Sequence, residues 1–214
     1  MLPRETVPGS RIKRETCRGT GAGRFRTRET DAAWGVAAEL GEQRSEADVT
    51  AVEALQIASL LLVGVTMALA LSHALELPGK MRLPKETYMA VQTIYYPGFT
   101  YGGVAEGFAL IALGVLLYLM PHEGTPFWLT LCAFTAVVGL HAIYWFVTHP
   151  VNGFWTRDLA LNRAGARFFG LSAARPRDTV SWTKLRDQWE HSHVARATLA
   201  FLSLGLLAGA LVAR

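Results

Sequence analysis

The chain has 214 residues, of which 51% are hydrophobic and only 18% charged, with a formal net charge of +4 and two cysteines. A soluble domain carries about 25% charged residues, and the deficit here is uneven, because much of the charge lies in residues 1–48. Disorder of the whole chain is excluded. So are a disulfide scaffold, since Cys17 and Cys132 are lone and far apart, and a zinc ribbon or thioredoxin-type centre, since no Cys-x-x-Cys occurs.

Residues 1–48 form a polar segment rich in Arg, Gly, Thr and Glu, expected to be a disordered tail. Its Arg-Glu-Thr triplets, at Arg4, Arg14 and Arg28, are unevenly spaced and mark no repeat. Residues 49–214 hold four apolar runs, at about 54–75, 99–120, 127–148 and 194–213. Each is near the roughly 20 residues that cross a bilayer. The first begins too far into the chain for a cleavable signal peptide. The expected fold is all-α: an integral-membrane four-helix bundle with interfacial helices in its two long links.

The connections follow in order. In the first long link, residues 76–98, Pro84 can open a short helix with Tyr88, Val91 and Tyr95 on one face, suited to the membrane interface. Residues 121–126 make a tight turn, so the second and third spans form a hairpin. In the second long link, residues 149–193, the segment Trp182–His193 has helical spacing and is expected to run straight into the fourth span. Lys80, Arg82, Lys85, Arg157, Arg163, Arg167, Lys184 and Arg186 flank the spans on the long-link side. The positive-inside rule then puts these links in the cytoplasm of a multi-pass inner-membrane protein. Basic charge beside apolar runs orients a membrane protein, so no nucleic-acid partner is expected; the partners are the bilayer and a hydrophobic small molecule.

Four spans bring the ionisable residues to one mouth. His73 and Glu76 end the first span, and Glu190, His193 and Arg196 open the fourth. Glu106 and His141 each lie about 12 Å inside that same side, at 1.5 Å per residue. Buried ionisable groups in a membrane mark functional sites by default. His73-x-x-Glu76 and Glu190-x-x-His193 each put a carboxylate and an imidazole on one helix face, in partial likeness to carboxylate-bridged metal bundles. The candidate metal ligands are therefore His73, Glu76, Glu106, His141, Glu190 and His193, for Fe, Mn or Cu. Haem held by His73 with His193 or His141 is the alternative cofactor. With a metal, Glu190 would be a ligand or base; without a cofactor, Glu106 or His141 would abstract a proton from an acidic carbon, whose carbanion would react with oxygen.

Plainer roles compete. Glu106 with Arg196 could be a structural ion pair, and Arg186 with Glu190 a helix-surface pair. Trp128, Tyr144, Trp145, Trp155, Trp182 and Trp189 read as interface anchors, with a substrate lining the alternative for Tyr101, Tyr144 and Trp145. Gly103–Gly107 and Gly205–Gly209 are expected to let helices approach closely within the bundle, a homo-oligomer being the alternative.

Three stretches resemble segments of the anthrone-oxygenase-like family of small four-helix membrane proteins. They are SHALELPGKMRLPKETYMAVQTIYYPGF (Ser72–Phe99), FVTHPVN (Phe146–Asn152) and WTKLRDQWEHSHVARATL (Trp182–Leu199). The resemblance spans about residues 53–213 and leaves out the tail. It implies an oxygenase-like activity that oxidises an anthrone carbon to a quinone. The resembling segments contain His73, Glu76, Pro150, Asn152, Arg186, Trp189, Glu190, His193 and Arg196, whereas Glu106 and His141 rest on the depth argument alone.

Overall fold

The computed structural model describes residues 24–156, 163–170 and 181–213. The chain divides into two units, Met1–Asp48 and Val49–Arg214. In the first unit, the described residues begin at Arg24 and are helical up to Asp48, within α1 (Arg24–Lys80). This part of the expected disordered tail holds Ala, Glu, Leu and Gln, which favour helix on local grounds. The remainder of the tail, residues 1–23, lies outside the described residues.

In the second unit, four stretches are long and apolar enough to cross a membrane: Thr50–Lys80, Gly98–Leu119, Gly124–Trp155 and Trp182–Val212. They follow the expected runs, each reaching further at one end or both. The second comprises α3 (Gly98–Gly102) and α4 (Val104–Leu119). The third comprises α5 (Gly124–Ile143), a π-helical turn at Tyr144–Thr148 and α6 (His149–Trp155). The fourth is the single helix α8 (Trp182–Val212), continuous through the polar stretch before the span, as its spacing required. Gly124 opens α5 at φ 77°, a left-handed conformation that glycine adopts without strain and that makes the hairpin turn tight. The links carry α2 (Lys85–Gln92) and α7 (Arg163–Gly170).

The half of the bundle away from the long links is packed mainly with apolar side chains. Val63 of α1, Ala109, Leu113 and Leu116 of α4, Ala133, Val137 and Leu140 of α5, and Ala200 and Leu207 of α8 form one buried cluster. Lipid is as apolar as leucine, so such helices associate by close packing rather than by a hydrophobic drive. Alanines supply the closeness between α5 and α8, and the Ser203 hydroxyl donates across that interface to the Ala133 carbonyl at 3.0 Å. Large apolar side chains such as Leu61, Phe108, Ile111 and Phe201 face outward.

Of the two glycine pairs, only Gly209 packs against another helix, a Cβ there lying 3.6 Å from Leu129 Cδ1 of α5. A Cβ at Gly107 or Gly205 would meet nothing within 4 Å, and one at Gly103 would meet only carbonyls of its own turn. These positions leave open space rather than admit a neighbouring helix. Close approach occurs at Gly102, where a Cβ would lie 2.7 Å from Leu69 Cδ1 of α1.

Candidate functional site

At the long-link mouth the four spans enclose a cavity of about 610 Å³. Its deep end is polar. Arg196 of α8 donates to Glu106 Oε2 of α4 at 2.7 Å, and Glu106 Oε1 lies 3.4 Å from His141 Nδ1 of α5 without hydrogen-bond alignment. Trp145, in the π-helical turn, donates its indole N–H to His141 Nε2 at 3.0 Å. An indole can only donate, so Nε2 is the acceptor and the neutral ring carries its proton on Nδ1, towards Glu106. A π-helical turn displaces the side chains that follow it from the α-helical register. The Arg196 guanidinium also lies over the Tyr144 ring, 5.0 Å from its centroid.

The second layer is an aromatic wall. The His73 ring touches those of Tyr95, Phe99, Trp189 and His193, with centroids 4.3 to 5.0 Å away. His193 Nδ1 lies 2.9 Å from the Trp189 carbonyl, which can only accept. The proton therefore sits on Nδ1, and Nε2 is the basic nitrogen of this cavity-lining imidazole. Asn152 accepts from the Trp189 indole at 2.8 Å and holds it against the wall.

Behind the wall lies an ion cluster that the residue spacing only half disclosed. Lys80, 3% exposed, is 2.8 Å from Glu76 and 3.6 Å from Glu190, and its ammonium lies over the rings of Tyr95 and Trp189. Tyr88 donates to Glu190 at 2.8 Å, and Tyr95 donates to Glu76. The Tyr-rich face of the first link, expected at the membrane interface, is thus turned inward, its hydroxyls donating to the buried Glu190 and the partly exposed Glu76. Burial, reinforced by Glu190, pushes the Tyr88 phenol far above its ordinary 10.0. Burial and the bond to Glu76 do the same to Tyr95. Both phenols keep their protons longer when folded, so the stability they confer is complete below about pH 10 and is lost as pH rises further. Unfolding free energy should then fall by up to about 1.4 kcal/mol per pH unit for the Tyr88 phenol, and Tyr88→Phe should flatten that slope in an alkaline unfolding series.

The predicted site residues therefore separate. His73, Glu106, His141, Asn152, Trp189, His193 and Arg196 line the cavity, as do Tyr101, Tyr144 and Trp145. Glu76 and Glu190 lie behind its wall, and Arg186 pairs with its neighbour Asp187 at 2.8 Å instead of with Glu190. Trp155 and Trp189, read as interface anchors, are each only 5% exposed and belong to the site. Lys80, Tyr88 and Tyr95 were missed as site residues, although Lys80 falls four residues after Glu76 and seven after His73, on one helix face.

The donor set does not fit a metal. Among the described residues, no group of three or more His, Cys, Asp and Glu side chains is placed to hold an ion. Each carboxylate proposed as a ligand instead lies beside a cation, Glu106 beside Arg196, and Glu76 and Glu190 sharing Lys80. Nor do the facing histidines fit haem as they stand. The His73 and His193 rings are in contact, with centroids 4.3 Å apart, and would have to separate to admit a macrocycle.

These observations define a multi-pass, four-helix membrane protein with a cavity at one mouth of the bundle, aromatic-walled and polar at its deep end. Compared with known protein families, curated proteins and solved structures, the chain matches none.

Proposed function

We propose that this protein is a membrane-embedded oxidoreductase of the oxygenase type, acting on an apolar aromatic molecule that it takes from the bilayer. The observation that carries this reading is the cavity itself: its walls are aromatic, its deep end holds the Glu106–Arg196–His141 group, and its rim reaches the outside of the bundle. Tyr101, Val104 and Trp145 line it and are 61%, 54% and 39% exposed on surfaces that face lipid. A ligand pocket with apolar walls and a few placed polar groups is the usual form of a small-molecule site. The resemblance of the three sequence segments to the anthrone-oxygenase-like family supports the same class of reaction.

In this reading His193 Nε2 removes a proton from an acidic ring CH₂ group, and Arg196 favours the negative charge that develops on the substrate. The carbanion gives its electrons to dioxygen. Overall, R₂CH₂ and O₂ become R₂C=O and H₂O, and the proton held by His193 leaves in the water. Exposed Arg82, Lys85, Arg163, Arg167 and Lys184 on the link side support a cytoplasmic placement of that mouth.

Oxygen uptake tests this reading. Chelator-treated protein in lipid nanodiscs should consume one O₂ per anthrone converted to quinone. His193→Gln should slow the reaction about 100-fold or more, the usual contribution of a positioned base. Gly107→Leu, which places a side chain in open space beside the cavity, should also suppress it. Absence of uptake above empty nanodiscs would make the protein a non-catalytic binder, and unchanged rates in both variants would remove the reaction from this cavity.

A further inference from the structure

Outside the groups used above, two side chains lining the cavity carry, among the described residues, hydrogen-bond donors with nothing to donate to. They are Gln92 Nε2, at the end of α2, and Trp155 Nε1, at the end of α6. Both side chains line the cavity, and both residues are 5% exposed. The Trp155 ring is 5.2 Å from that of Tyr88, and Gln92 follows Tyr88 by one turn on α2. Buried donors without partners are rare in folded proteins and each costs about 1–3 kcal/mol. An indole N–H cannot turn acceptor, so whatever satisfies Trp155 must present a lone pair.

We infer that Gln92 and Trp155 are positioning residues that hold an acceptor oxygen, a carbonyl or phenolate, of a planar apolar ligand at the link end of the cavity. This rests on the cavity binding a small molecule, as in the reading above, and not on the oxidation. A carbonyl oxygen has two in-plane lone pairs and can accept from both donors. Holding it here sets which part of the molecule extends towards His193 and Glu106. A hydrocarbon of the same outline would fill the same space and leave both donors unpaired, which is how a hydrogen-bonding site discriminates.

Fluorenone and fluorene, planar molecules differing by one carbonyl, provide the test. Equilibrium dialysis of protein-loaded against empty nanodiscs should show fluorenone bound at least about tenfold more tightly, the equivalent of about 1.4 kcal/mol. Trp155→Phe and Gln92→Met, which keep ring and chain length, should each remove most of that preference while leaving fluorene affinity unchanged. Equal binding of the two compounds by the unmodified protein, or binding of neither, overturns the inference without recourse to any variant. So does a preference that survives in both variants. A preserved preference without oxygen uptake would instead overturn only the oxygenase reading.

Discussion

Arg196→Leu is expected to destabilise the bundle by about 3–5 kcal/mol, the usual consequence of leaving one member of a buried ion pair alone. The Arg196 and Glu106 side chains are 10% and 6% exposed, and 2.7 Å separates them. Without the guanidinium, the carboxylate would face only a poorly aligned imidazole in a medium with almost no water to solvate it. Glu106→Leu together with Arg196→Leu should recover much of the loss, because replacing both charges by apolar groups is often neutral. Unfolding in mixed micelles, run as a double-mutant cycle, measures both changes. A single Arg196→Leu variant within about 1 kcal/mol of the parent would show that the pair does not hold α4 to α8. A stable double variant that no longer binds fluorenone or consumes oxygen would show that the pair is kept for the cavity rather than for the fold.

The second large effect is expected at Lys80. It is the cation of a cluster with two carboxylates, of which Glu190 is wholly buried. Lys80→Met preserves most of the apolar stem but leaves Glu190 with the Tyr88 hydroxyl alone, a loss of about 3–5 kcal/mol on the same grounds. Adding Glu190→Gln should restore much of the stability, since an amide oxygen can still accept from Tyr88 and only the partly exposed Glu76 carboxylate is left without its cation. The Lys80 ammonium also lies over the Tyr95 and Trp189 rings, so its removal should loosen the wall around His73. Thermal unfolding in detergent, with tryptophan emission as a second probe, distinguishes the two effects. If Glu190→Gln fails to rescue Lys80→Met, the burial of an unpaired carboxylate is not the cause of the loss.

The membrane-spanning architecture was legible in the chain because it depends on local quantities. A run of some twenty residues without charge has few alternatives, and four such runs joined by short and long links leave little freedom in the order of helices. Counting residues inward from the link side also located the deep layer. Glu106 and His141, placed at equal depth by that arithmetic, lie within 3.4 Å of each other.

Pairing across helices was only partly legible, Glu106 with Arg196 being one alternative among several. Spacing shows which residues share one helix face, but not how each helix is rotated about its axis relative to its neighbours. That rotation places Arg196 rather than a metal against Glu106, and buries Lys80 between Glu76 and Glu190 although its position in the chain suggested a surface charge. It turns Tyr88 and Tyr95 inward and puts Glu190 behind the cavity wall. The low charge content of the chain reflects its four spans and could be read directly. Which of the few charges meet one another was decided by the packing of the spans, because a charge in an apolar medium takes its partner from whichever helix brings one within reach.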